Sequence, residues 1–115
     1  MIKFNKENLS TWLSTALVGN YWAGVSVDDL KAYKECSVTG DCFEEHLAEY
    51  LLANRNNTIE IYDAEEGDED YTRHINLTDI ENGFSIAKEN DIDAMDLESA
   101  DIVLQYVCFG EVIFG

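Results

Sequence analysis

The sequence of 115 residues contains no proline, and it has only seven lysines and arginines against 24 aspartates and glutamates. Without proline, the chain offers neither a PxxP ligand segment nor a proline-rich linker. No segment approaches the roughly 18 uninterrupted apolar residues of a membrane-spanning helix, so we expect no such span. The excess of acids repels DNA, RNA and anionic membranes, which disfavours direct binding to any of them.

Cysteine and histidine are also scarce, with three and two residues. An odd number of cysteines is typical of the reducing cytoplasm, where we expect the protein to act. Cys36, Cys42 and His46 have the spacing C-x5-C-x3-H, which matches no standard zinc finger and leaves only His74 as a further ligand. There is no G-x-S-x-G motif and no glycine-rich phosphate loop. We therefore predict no catalytic residue, no metal site and no cofactor, and we do not expect an enzyme.

The apolar fraction of 46% is high enough for a real core, and the length is that of one domain spanning residues 1–115. Apolar residues at helical spacing, together with capping signals, predict helices over 6–18, 27–36, 42–54, 78–88 and 99–109. Alternating residues predict a hairpin of strands 58–62 and 71–77, and a short final strand over 111–114. The predicted class is α+β: a helical N-terminal half, then a small antiparallel sheet with two further helices.

The acids are concentrated in the second half of the chain. Residues 1–62 carry a net charge of −4, whereas residues 63–115 carry −13 and only two bases, Arg73 and Lys88. Side chains on one face of an extended chain recur about every 6.8 Å, close to the spacing of phosphates along a nucleic-acid strand. Two acidic clusters therefore become the candidate partner-binding residues: Asp63, Glu65, Glu66, Asp68, Glu69 and Asp70 in the first, and Glu89, Asp91, Asp93, Asp96, Glu98 and Asp101 in the second.

Two other interpretations of the acids remain open. A solvated hairpin tip, or acidity that only serves solubility, would give the same pattern without a partner. Calcium binding through an EF-hand loop fits poorly, because a loop starting at Asp63 puts Gly67 at position 5 instead of 6, and one starting at Asp91 contains no glycine.

Tyr21 and Trp22 lie in a predicted connector between Gly19 and Gly24. They either cover the core or, if exposed beside the acids, serve as aromatic anchors for a partner.

In its charge and size the chain resembles the DNA-mimic inhibitors of bacteriophages and mobile elements, such as anti-restriction and anti-CRISPR proteins. The acidic segments 63–70 and 89–101 carry this resemblance, which rests on charge and matches no family motif. It implies inhibition of a basic, nucleic-acid-binding protein or nuclease of a defence system. Alternatives are an immunity protein or antitoxin that neutralises a basic toxin, and an accessory phage protein whose acidity serves solubility. The oligomeric state stays open, with a dimer possible.

Overall fold

Five α-helices and a three-stranded antiparallel sheet make up the part of the chain, residues 3–18, 22–36 and 42–113, that the computed structural model describes. The predicted α+β class is confirmed. In chain order the elements are α1 (Lys6–Val18), β1 (Ala23–Val27), α2 (Leu30–Glu35), α3 (Phe43–Ala53), β2 (Ile59–Asp63), β3 (Arg73–Ile75), α4 (Leu77–Glu89) and α5 (Ala100–Phe109). Two 3₁₀ turns, Glu69–Tyr71 and Leu97–Ser99, lie in the acidic segments.

The sheet has the order β1–β2–β3, and both pairs of strands are antiparallel. The predicted hairpin is confirmed, because Ile59 of β2 lies opposite Ile75 of β3, and both side chains are buried. The strand β1 was not predicted: residues 23–24 were assigned to a connector and Val27 to a helix. The N-cap of α2 is Asp29, whose carboxylate accepts a hydrogen bond from the amide of Ala32 at 3.0 Å. The helix therefore begins at Leu30 and not at residue 27 as predicted, and the residues before it form β1.

The core lies between the sheet and the helices α1, α3, α4 and α5. Trp12 of α1 is buried as predicted, and its ring contacts that of Phe84 edge to face, with the centroids 5.3 Å apart. At Gly83 in α4, a Cβ would lie 2.2 Å from Cγ2 and 2.8 Å from the backbone N and Cα of Val107. The absence of a side chain at Gly83 therefore lets α4 approach the backbone of α5 closely.

The ends of the last two helices follow from local hydrogen bonds. α4 is capped by Asn76 in a reciprocal capping box with Asp79, two residues before the Thr78 signal. α5 ends at Gly110, whose φ of 75° is a left-handed conformation that favours glycine. The predicted final strand over 111–114 is wrong for 111–113, which form no strand, and Phe114 lies outside the described residues.

Candidate acidic interface

The first acidic segment begins with a buried aspartate at the end of β2. Asp63 is only 4% exposed. Its Oδ1 accepts hydrogen bonds from the amides of Glu65 and Glu66, both at 3.1 Å, and its Oδ2 accepts one from the amide of Asp68 at 3.4 Å. The prediction that Asp63 presents its charge to a partner is therefore wrong, because its carboxylate is used to fold the loop behind it.

The other five acids of this segment are exposed. They are Glu65, Glu66, Asp68, Glu69 and Asp70. The turn that presents them is supported by Gly67, which has a φ of 71° and donates its amide to the carbonyl of Asp63 at 3.0 Å. Asp68 also accepts a hydrogen bond from the amide of Asp70 at 3.0 Å, which starts the 3₁₀ turn.

Arg73 is the basic residue that directly follows this segment, and its guanidinium binds backbone and an aromatic ring. It donates to the carbonyls of Asp70 and Thr72, both at 2.8 Å, and lies 4.9 Å from the ring centroid of Phe109. Within the described ranges, none of the ion pairs involves an acid of 65–70. The negative charge of the segment is therefore left for solvent or a partner.

The second acidic segment is held by the same kind of short hydrogen bond. Asp93 accepts from the amide of Met95 and Asp96 accepts from the amide of Glu98, both at 3.0 Å. Asp91, just after α4, has a φ of 57° and donates its amide to the carbonyl of Lys88 at 3.1 Å. The exposed acids of this segment are Glu89, Asp91, Asp93, Asp96 and Glu98.

Asp101, at the end of the second segment, is half-buried and pairs with the buried Trp22. The indole N–H of Trp22 donates to Oδ1 of Asp101 at 2.7 Å, and the side-chain amide of Gln105 donates to Oδ2 at 3.1 Å. Trp22 is fully buried. Of the two alternatives for Trp22, the structure shows burial in the core, so Trp22 is not an exposed aromatic anchor. Asp101 is only partly accessible, and Tyr21, the other candidate anchor, lies outside the described residues.

Trp22 also connects the two acidic segments. Its carbonyl accepts a hydrogen bond from the amide of Ala64 at 2.7 Å, at the start of the first segment, while its indole reaches Asp101 at the end of the second. The ring lies 5.6 Å from that of Phe109, centroid to centroid. One buried residue therefore holds an end of each segment. No local pattern indicates this role, since 42 and 79 positions separate Trp22 from these partners.

A second group of ionisable side chains lies on the polar face of the sheet, and sequence reasoning missed it. Glu60 of β2 and His74 of β3 are paired across the strands, and Asp28 follows β1. His74 Nδ1 lies 2.8 Å from Asp28 Oδ2, and its Nε2 lies 3.8 Å from Glu60 Oε2. The hydrogen bond to Asp28 raises the pKa of His74, and the charges of both carboxylates act in the same direction. No sequence motif marks this group. It could have been found only from the pairing of the strands, and β1, which positions Asp28, was not predicted.

Cys36, Cys42 and His46, considered above as zinc ligands, do not point to a common site. The ring of His46 stacks on Tyr33, with the centroids 3.6 Å apart, and the Cys36 thiol donates to the carbonyl of Ala32 at 3.4 Å. Cys42 is exposed at the start of α3. Among the described residues, these three do not form a ligand group of the kind that Asp28, Glu60 and His74 form.

Comparison with known proteins identifies no relative: no family model, no curated protein and no solved structure matches the chain. In the described ranges, every helix is too short or too polar to cross a membrane.

Proposed function

We propose that this protein binds a basic, nucleic-acid-binding protein and inhibits it by occupying its nucleic-acid groove. The surface that would do this, called the acidic face below, consists of the ten exposed acids of the two segments: Glu65, Glu66, Asp68, Glu69, Asp70, Glu89, Asp91, Asp93, Asp96 and Glu98. In this proposal the protein acts in the cytoplasm as a nucleic-acid mimic directed against a nuclease or another defence protein, and it catalyses no reaction.

The observation that carries the proposal is the connection through Trp22. Ala64 and Asp101 both bind this buried residue, so an end of each acidic segment is fixed at the same point of the fold. The like charges within each segment repel one another, and a fold retains them at a cost in stability. A groove lined by Lys and Arg would remove this repulsion on binding, because its positive charges would neutralise the carboxylates as they neutralise the phosphates of a nucleic acid.

The backbone hydrogen bonds of the segments also support binding. Asp63, Asp93 and Asp96 each accept amide hydrogen bonds from residues that follow within five positions. Loops fixed before binding lose less conformational entropy when the complex forms, which increases the affinity for a given set of contacts. Charge complementarity acts mainly on the association rate and makes binding sensitive to salt.

The immunity-protein alternative relied on exposed aromatic anchors, and the burial of Trp22 removes one of the two proposed. An inhibitor of that type would lose most of its affinity on truncation of one or two central side chains. A nucleic-acid mimic instead spreads its contribution over many acids, and ten exposed acids on connected segments fit that second pattern better.

The experiment begins with affinity capture from host lysate at low and high salt, which identifies a basic partner. A gel-shift competition then asks whether the protein displaces DNA or RNA from that partner. We expect displacement, no direct binding of the protein to nucleic acid, and weaker binding to the partner as salt increases. A ternary complex that contains the partner, nucleic acid and this protein together would exclude mimicry.

A pair of triple variants with equal charge separates the acidic face from net charge. Glu65→Gln, Glu66→Gln and Glu69→Gln together remove three charges from the face, and we expect them to reduce the association rate about tenfold or more at low salt. The control, Glu7→Gln, Glu35→Gln and Glu111→Gln, removes three charges from exposed positions outside both segments. Equal effects of the two triple variants would mean that net charge, and not the face, determines binding.

A further inference from the structure

The polar face of the sheet brings together three potential metal ligands from three different stretches of the chain. Glu60 and His74 are direct neighbours across β2 and β3, and Asp28 lies just beyond the end of β1. One ligand atom from each of the three side chains lies within 4.8 Å of the other two. We infer that Asp28, Glu60 and His74 form a binding site for a divalent transition-metal ion of the zinc type.

The three residues are close enough to share an ion after a small movement. One ligand atom from each lies within 4.8 Å of the other two, and ligand atoms about 2.0–2.2 Å from a tetrahedral zinc ion lie about 3.3–3.6 Å from one another. An imidazole binds one ion through one nitrogen, so the 2.8 Å contact of His74 Nδ1 with Asp28 Oδ2 and the 3.8 Å contact of His74 Nε2 with Glu60 Oε2 do not both belong to one coordination sphere. Binding of an ion would draw the three ligand atoms together by no more than about 1.5 Å.

Neighbouring hydroxyl groups orient the two carboxylates. Thr58 Oγ1 donates to Asp28 Oδ2 at 2.7 Å, and Ser26 Oγ lies 3.5 Å from Glu60 Oε1, where it can donate. Such outer hydrogen bonds fix the direction of metal ligands and increase metal affinity. They do not block the approach of an ion, because the side chain of His74 is 54% exposed.

The ligand set determines the class of ion. Two carboxylates and a neutral imidazole carry a charge of −2, which balances a divalent cation. An imidazole favours zinc and its first-row neighbours, whereas Mg²⁺ and Ca²⁺ prefer oxygen ligands, and Ca²⁺ requires about six to eight of them. With three protein ligands, the ion would retain at least one position for water. The exposed acids of the acidic face supply oxygens only, so they do not reproduce this selectivity.

The test measures Zn²⁺ binding by calorimetry at about pH 8, where imidazole is largely neutral and able to coordinate. A large excess of Mg²⁺ and added salt occupy oxygen-only sites on the surface. We expect the wild type to retain a saturable zinc site, and His74→Ala and Glu60→Gln to weaken it about tenfold or more. The control, Glu111→Gln, removes one exposed acid outside both the cluster and the acidic face and should leave the affinity unchanged.

Free thiols also bind zinc, but Cys36, Cys42 and Cys108 are present in every variant, so the difference between variants isolates the cluster. A second measurement follows the imidazole nitrogens of His74 by NMR in the wild type, which does not depend on a variant folding. A shift of the His74 resonances that saturates with Zn²⁺ supports the site. Resonances that do not change, or equal zinc affinity of wild type and His74→Ala, would overturn it. Neither result depends on the acidic face, so this site and the proposed function can fail separately.

Discussion

Asp63 provides the sharpest test of how the acidic loop is built. The sequence treats it as one of six equivalent acids, so its removal together with the other five should leave the fold intact or even relieve repulsion. In the structure Asp63 is buried and accepts three backbone hydrogen bonds from the loop that follows it. We therefore expect Asp63→Ala to destabilise the protein, whereas Glu65→Ala and Glu66→Ala, at exposed positions, should have almost no effect.

The size of the effect follows from these bonds. Two of them, at 3.1 Å, contribute about 0.5–1.5 kcal/mol each, and the third, at 3.4 Å, contributes little. Because the loop is exposed, water can hydrate the released amides, which limits the total to about 1–2 kcal/mol, as for the loss of a helix cap. A domain of this length unfolds with an entropy of about 0.24 kcal/mol per kelvin, so the melting temperature should fall by about 4–8 °C.

Thermal unfolding followed by circular dichroism at neutral pH measures this difference. Asp63→Asn should lie between Asp63→Ala and the wild type, because the amide oxygen still accepts hydrogen bonds but carries no charge. Glu65→Ala provides the matched control for the loss of a carboxylate from the same loop. If Asp63→Ala melted within about 1 °C of Glu65→Ala, these hydrogen bonds would not stabilise the loop and the reasoning above would be refuted.

Two further predictions concern the helices. Gly83→Ala should destabilise the protein by about 1–3 kcal/mol despite the better helix propensity of alanine, because its Cβ would lie 2.8 Å from the backbone of Val107. Urea unfolding measures this difference, with Asn82→Ala as the control at an exposed position of the same helix. A Gly83→Ala variant more stable than the wild type would contradict the close packing of α4 and α5. Arg55 makes a bidentate ion pair with Glu81 and lowers the pKa of Glu81. A lowered carboxylate pKa stabilises the fold above the ordinary value of 4.5, and this contribution disappears as the pH falls through the lowered value. Glu81→Gln should therefore reduce the melting temperature at pH 7 and converge with the wild type in acid, and a constant difference across pH would disprove the linkage.

Most of the fold could be predicted from the sequence because its helices carry local signals. Helix α1 lies where the apolar stripe predicted it, and α5 ends at the glycine that indicated its end. The strand β1 could not be predicted with equal ease. Its residues, A-G-V-S-V, alternate weakly, and the competing pattern of Ser26 with Asp29 looks like a capping box. Only the pairing of Val25 with Ile61, 36 positions away, distinguishes the strand from a helix start.

The candidate site was predictable only as a set of charges. The sequence shows where acidic residues are concentrated. It does not show which of their carboxylates accept hydrogen bonds within the fold. Asp101 and Trp22 illustrate the limit, because each is ordinary in its local context and their 2.7 Å hydrogen bond depends on the tertiary packing that brings the start of α5 to the residue before β1. The cluster of Asp28, Glu60 and His74 had the same origin, since the strand register creates it and no local motif does.

Within the two acidic segments, some aspartates have a structural role that no glutamate there has, and side-chain length explains the difference. The carboxylates that accept backbone amides within the segments all belong to aspartates: Asp63, Asp68, Asp93 and Asp96. An aspartate carboxylate is one methylene closer to its own backbone and can reach the amides two or three residues ahead, where a glutamate would have to fold back at a cost in entropy. The glutamates between them, such as Glu65, Glu66 and Glu69, remain exposed. Asp68, Asp93 and Asp96 thus accept backbone amides and remain exposed at the same time. In the proposed mimic the acids would therefore be presented by turns that their own side chains stabilise, and not by an extended chain with the expected repeat of about 6.8 Å.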